Sequence, residues 1–249
     1  MNCDSFASGH CSNYKPDFLL RILDESGPAA TICCLDPDIT LRCTWNFIER
    51  WSRYGVCLCE EITNCNVPND HPLCAICKEI ARGQGWSEPQ RESWSYYNGE
   101  FIALQARDRR SLEVWQQAIR MIAETGTRLN DFAPANCEHP FHEHPFHMTD
   151  QDALNLAVLY TDQPPSTIGP EGMGFISGEF TMYHSTGAPK PWRKQFLRPA
   201  LRGIPPSGGD KHFLQMMQGP FQAYSQWQLS WKKLTCVLAS MIGRFYARR

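Results

Sequence analysis

The sequence predicts an α/β domain, and three observations carry that prediction. Apolar runs of strand length alternate with segments whose apolar residues recur every three or four positions. Pro- and Gly-rich stretches punctuate the boundaries between them. The composition, 42% hydrophobic and 20% charged, is that of a chain with a packed core, which excludes disordered, collagen-like and coiled-coil classes. No repeat of solenoid length occurs, and no stretch reaches the roughly 20 apolar residues of a membrane-spanning helix. Met1-Asn2-Cys3-Asp4-Ser5 has neither the basic start nor the apolar run of a secretory signal.

Lys15 to Asp24 reads as a helix with Phe18, Leu19, Ile22 and Leu23 on one side, broken by Gly27-Pro28. Thr31 to Leu35 is a continuous apolar run ending in Asp36-Pro37-Asp38, which fits a buried parallel strand. Thr44 can cap a helix reaching Tyr54, with Phe47, Ile48 and Trp51 on one face. Val56 to Ile62 reads as a strand, and His71 to Arg82 as a helix opened by Pro72. Ser93 to Leu104 is strand-like. Asp108 to Glu124 is the clearest helix, its Leu112, Trp115, Ile119 and Ile122 falling three and four apart before Gly126. Thr149 to Tyr160 is a second clear helix. Residues 163–174 and 203–220 read as Gly/Pro-rich loops, Phe175 to His184 as a strand, and Tyr224 to Arg249 as mostly helical. The expected organisation is one α/β domain, residues 1–223, followed by a basic amphipathic helix, residues 224–249.

Charge is distributed unevenly. Residues 180–249 carry eleven Lys and Arg against the single acid Asp210, whereas residues 1–179 carry an acidic excess. A basic third suits a phosphate-bearing ligand or an anionic surface, and an acidic part suits a metal. The twelve cysteines, with Cys33 and Cys34 adjacent inside an apolar run, fit reduced thiols in a cytoplasmic protein better than a disulfide framework. Cys74-Ala-Ile-Cys77, with Cys57, Cys59 and Cys65 upstream, lacks the two well-spaced pairs of a structural zinc site; small buried thiols are the competing reading. The duplicated His139-Pro-Phe-His142 and His144-Pro-Phe-His147 is rich in metal ligands, but Pro140 and Pro145 break any helix that would align them.

Four constellations could carry chemistry. Asp36 and Asp38, at i and i+2 after an apolar run, can both reach a divalent cation that keeps open positions for phosphate oxygens. A turn or helix cap explains the same pair without function. His184 ends a strand-like run and could add a metal ligand; Gly187 would let backbone approach a phosphate, and Lys190 would hold a diphosphate as a point charge. Asp150, Gln151, Asp152 and Asn155 open a helix, where acids also simply favour the dipole; otherwise Asp150 and Gln151 would grip hydroxyls at a pocket rim. Asn98, between Tyr97 and Gly99, offers amide donors and an acceptor to a sugar, or makes a turn.

In order, these pieces resemble a known family. Leu35-Asp-Pro-Asp-Ile39 followed by Trp45-Asn-Phe47 looks like the metal-binding region of GT-A-fold glycosyltransferases. Tyr97-Asn98, Asp150-Gln-Asp-Ala-Leu-Asn155 and His184-Ser-Thr-Gly187 through Lys190-Pro-Trp192 are similar to motifs of the glycogenin and lipopolysaccharide galactosyltransferase type, glycosyltransferase family 8. The resemblance covers about residues 15–195. It implies a GT-A-like mixed sheet flanked by helices and metal-dependent transfer of a sugar from a nucleotide-diphosphate sugar, a UDP-sugar favoured, to a glycan or lipid-linked acceptor with retention of configuration. Asp36, Asp38 and His184 would bind Mn²⁺ or Mg²⁺. Asn98, Gly187 and Lys190 would contact the donor, and Gln151 and Asp150 are the candidate catalytic residues. Against the family pattern, Gly99 and Glu100 follow Asn98 directly, and the metal motif falls at position 36, whereas the family normally has on the order of 80–100 residues before it. By that comparison the chain is expected to lack part of the N-terminal nucleotide-binding half.

Two other classes fit some of the same residues. Cys33 to Thr40 also fits the haloacid-dehalogenase phosphatase signature, with Asp36 as nucleophile and Asp38 as acid/base. A non-catalytic truncated domain or a Cys/His metal-binding protein is the other. The tail from Lys211 to Arg249 has six Lys and Arg and no acid, interleaved with Trp, Leu and Met; such a helix either packs on the domain or lies peripherally on the inner face of a membrane. No nucleic-acid reader motif occurs, and the chain is slightly acidic overall, so nucleic acid is not an expected partner.

Overall fold

In the computed structural model, residues 11–62, 72–91, 95–125, 146, 149–178, 180–217 and 224–245 are described. Contacts divide the chain into two compact units, Met1–Leu35 with Trp45–Pro170, and Asp36–Thr44 with Glu171–Arg249.

The first unit is built on a four-stranded mixed sheet of β1 (Thr31–Leu35), β4 (Phe101–Gln105), β3 (Val56–Cys59) and β5 (Pro165–Ile168), adjacent in that order. β1 runs antiparallel to β4, from Thr31↔Gln105 to Leu35↔Phe101, and β3 antiparallel to β4 at Cys57↔Ala103. β3 and β5 are parallel, from Val56↔Pro165 to Cys59↔Ile168. Side chains alternate across such a sheet. Ile32, Val56, Leu58, Ile102 and Leu104 therefore enter one core, with Leu19 and Leu23 of α1 (Lys15–Glu25). Leu112, Trp115, Ile119 and Ile122 of α4 (Arg109–Glu124) join them, with the apolar side of α5 (Thr149–Tyr160). Each such burial contributes about 1.5–3 kcal/mol. On the other face, Trp51 of α2 (Trp45–Trp51) stacks on Phe101 at 5.5 Å and its indole N–H donates to Ser166 Oγ at 3.0 Å. Helix α3 (Pro72–Gly83) places Cys77 and Ala81 in the main core.

Several expected elements shift. β1 is an edge strand in antiparallel pairing, not a buried parallel one, and only Ile32 among its residues is fully buried. A short apolar run cannot distinguish an edge from a centre, because only its neighbours decide which face water reaches. The parallel strand is β5, inside the stretch read as a loop; Pro165 is tolerated there because it is the first residue of an edge strand. Among the described residues, the strand expected over Ser93–Leu104 is confined to β4, since Asn98 to Glu100 turn first and Tyr97 makes an isolated bridge to Glu60.

Gly55 enters β3 with φ +133°, and a Cβ there would lie 2.2 Å from the Pro164 carbonyl oxygen, which accepts the Val56 N–H. Gly55→Ala must therefore move backbone between two paired strands. It is expected to cost about 3 kcal/mol, read as a lowered urea midpoint with an unchanged slope.

In the second unit, β2 (Ile39–Leu41) pairs antiparallel with β6 (Met182–His184), register Ile39↔His184 to Leu41↔Met182. Among the described residues, this short piece is what forms of the expected Phe175–His184 strand. A second core joins Phe196, Ala200 of α6 (Leu197–Ala200), Phe213 and Leu214 of α7 (Gly208–Met216), and Leu229, Cys236 and Ala239 of α8 (Gln226–Gly243). Helix α7 replaces the loop expected over 203–220. Its start is a capping box: Ser207 Oγ accepts the Asp210 N–H at 3.1 Å and Asp210 accepts the Ser207 N–H at 3.0 Å. The pair Gly208-Gly209 masks that signal in the sequence. Ser225 and Gln228 cap α8 in the same way. The helix read as a separate tail thus packs on α6 and α7 inside the second unit.

Candidate functional site

The residues singled out in the sequence fall into two clusters, one in each unit. The second unit's cluster is built by the β2–β6 ladder. The Ile39 N–H donates to the Asp36 carbonyl at 2.9 Å, closing a turn that delivers Asp38 to the start of β2. Ile39 faces His184, and the Ser185 N–H donates to the Asp38 carbonyl at 3.0 Å, so Asp38 and His184 lie side by side at the ladder's end. Lys190 arrives from the following turn. The Arg193 and Lys194 N–H groups both donate to its carbonyl, and Trp192 anchors the turn against Phe213, with ring centroids 6.1 Å apart.

Asp38 is 3% exposed. Lys190 Nζ donates to Asp38 Oδ2 at 2.5 Å, and His184 Nε2 lies 3.6 Å from the same oxygen. Burial alone would raise the Asp38 carboxyl; His184 and then Lys190, through hydrogen bonding and positive charge, outweigh it and hold the group at about 2. Asp38 is therefore a carboxylate at neutral pH. Its oxygen and a His184 nitrogen are near enough for one cation to touch both at the roughly 2.1 Å metal–ligand distance, and carboxylate with imidazole is a donor set that Mn²⁺ accepts. The Asp36 carboxylate does not join them; its backbone makes the turn instead. Gly187 has φ +83° and open space around its Cα. Sequence reasoning gave no role to Ser185. Its hydroxyl is buried against Gly209, where a Cβ would lie 3.1 Å from it, and has no hydrogen-bond partner among the described residues.

The first unit's cluster ties the segment Tyr96–Glu100 to the start of α5. Asn155 is fully buried; its Oδ1 accepts the Tyr97 N–H at 2.7 Å, and its Nδ2 donates to the Tyr97 and Gln151 carbonyls at 2.8 Å each. Gln151 Oε1 accepts the Gly99 N–H at 2.8 Å. A Cβ on Gly99 would sit 3.1 Å from the Gln151 backbone, so glycine permits this approach. Asn98 Nδ2 donates to Glu61 at 2.7 Å, and Asn98 Oδ1 accepts the Glu100 N–H at 3.0 Å. The Tyr96 hydroxyl donates to Asp152 at 2.5 Å; burial, reinforced by that carboxylate, pushes the phenol far above its ordinary range. Lys15 Nζ donates to the Gly99 carbonyl at 3.0 Å and approaches Asp150 at 3.4 Å. The Trp115 indole N–H holds the Asp150 carbonyl at 2.8 Å.

Asn98, Asp150 and Gln151 are thus brought together in one unit, and Asp38, His184 and Lys190 in the other. Lys15 and Glu61 enter the first cluster without having been singled out as site residues; the sequence signal for Glu61 is the acidic pair Glu60-Glu61 that follows the apolar run Val56–Cys59. Asp152 and Asn155 serve to clamp a loop. The Cys57 and Cys59 thiols share one buried face of β3, as expected from their spacing, and no disulfide joins the described cysteines. Cys65, the side chain of Cys74, and His139, His142, His144 and His147 lie outside the described residues. No protein-family pattern matches this chain, and no curated protein matches it either.

Proposed function

We propose that the chain transfers a sugar from a nucleotide-diphosphate sugar, with a divalent cation, Mn²⁺ or Mg²⁺, held by Asp38 and His184. The observation that carries this reading is the buried Asp38–His184–Lys190 cluster, in which a carboxylate, an imidazole and an ammonium meet at one ladder end. Asp38 supplies the fixed negative charge, kept ionised by its neighbours. When bound, the cation would neutralise the donor's diphosphate and so favour its departure. Lys190, now on Asp38, has the reach and charge to transfer to a phosphate oxygen. The turn at Gly187 leaves its backbone open to the ligand. The sequence resemblance to GT-A glycosyltransferases supports the same assignment.

The test is donor hydrolysis. The purified chain is incubated with UDP-sugars and GDP-sugars, with Mn²⁺ or with EDTA, and released nucleotide is measured. Metal-dependent release from one donor is the expected result. Release that is equal in EDTA contradicts the role of the cation. Lys190→Ala is expected to lower the rate at least about tenfold by removing a charge-assisted phosphate contact.

A further inference from the structure

A groove of about 400 Å³ runs between α7 and α8, away from the Asp38 cluster. Its walls are Leu214, Val237 and Met241, and three cations border it: Lys211 from α7, and Lys233 and Arg244 from α8 and its C-terminal end. Lys233 and Arg244 are separated by about three helical turns, so the groove is elongated along the helix. None of the three cations forms an ion pair among the described residues. No acid occurs anywhere from Lys211 to Arg249.

The groove borders a second feature. Trp227, Trp231, Leu234, Leu238 and Met241 follow one another at spacings of four, three, four and three, and all are at least 40% exposed. They form a stripe on the side of α8 opposite Leu229, Cys236 and Ala239, which are buried in the core. The helix is therefore apolar on both sides, and only one side is covered. Trp227 and Trp231 stack at 6.0 Å at the N-terminal end of the stripe, and tryptophan favours the boundary between water and lipid. Met241 belongs to both the stripe and the groove wall. A second copy of the chain would bring one acid-free basic face against another, and like charges would oppose it.

We propose that α8 is an interfacial helix and that the α7–α8 groove takes the headgroup and one chain of an anionic phospholipid. The cations bind the phosphate, the groove wall takes apolar chain, and the Trp–Leu stripe enters the lipid surface. This inference is independent of the glycosyl-transfer reading.

The full chain is sedimented with vesicles of phosphatidylcholine alone or mixed with phosphatidylglycerol. Binding to the mixed vesicles and not to the neutral ones is expected. The triple variant Lys211→Gln, Lys233→Gln, Arg244→Gln should bind mixed vesicles on the order of 100-fold more weakly, since each basic residue near an anionic surface is worth about fivefold. Trp231→Ser should also weaken binding. These side chains project into water or the groove, so both variants should melt with the wild type, which separates lost binding from lost folding. Glycerol phosphate at millimolar concentration should not release the protein from vesicles. Equal binding to both vesicle types, binding to neither, or wild-type affinity in the triple variant overturns the proposal. Release by glycerol phosphate, with a raised melting temperature, overturns the lipid assignment in favour of a free phosphate ligand.

Discussion

Asn155→Ala is expected to destabilise the first unit by about 4 kcal/mol. Asn155 is fully buried and makes three hydrogen bonds of 2.7–2.8 Å. Alanine removes all three. The Gln151 carbonyl lies in the first turn of α5 and can keep its helical partner, but the Tyr97 N–H and C=O would be stranded in the core. Each unsatisfied buried backbone group costs about 1–3 kcal/mol, and the small cavity adds to it. Asn155→Asp tests the same clamp differently. It preserves shape and the acceptor, loses the donor to two carbonyls and buries a charge, so it should also be strongly destabilising. Urea unfolding followed by circular dichroism measures both. A loss below about 1 kcal/mol for Asn155→Ala would mean that the Tyr97 segment is held by other contacts.

Asp38→Asn is expected to abolish metal-dependent nucleotide binding while leaving the fold intact. Asparagine has the same shape and can still accept from Lys190 through its carbonyl oxygen, so the ladder end persists. What disappears is the negative charge that Lys190 and His184 face across 2.5 and 3.6 Å. Without it, two basic groups border the site with nothing to attract a cation. Affinity for Mn²⁺ with UDP should fall at least about 100-fold, or roughly 3 kcal/mol. Titration calorimetry reads the binding and thermal melting reads the fold. Unchanged binding with an intact fold would remove Asp38 from the account.

Long helices were legible in the sequence because their periodicity is local. Thr149–Tyr160 matched residue for residue, and the four apolar positions of α4 are all buried as spaced. Strand pairing was not legible, because neighbours in the sheet come from distant sequence. β1 looked central and lies at an edge, and β5 hid behind two prolines. Helix α7 hid behind two glycines although its Ser207–Asp210 box was present. The same division runs through the candidate site. Asp38, His184 and Lys190 were readable as types at a spacing, and the ladder joins them. Asp36 shared the motif but its carboxylate stands outside the cluster, since neighbouring residues around a turn point in different directions. Ser185 could not have been read from the sequence, because an unpartnered buried hydroxyl is a property of packing alone.

The central claim is that this chain holds a nucleoside diphosphate through a divalent cation. Its most direct test is calorimetric titration of UDP into the purified full chain, first with Mn²⁺ and then with EDTA. The account predicts saturable binding with Mn²⁺ that vanishes in EDTA and is absent from Asp38→Asn. A folded chain that binds UDP equally well in EDTA, or that binds neither UDP nor GDP with Mn²⁺ present, contradicts it.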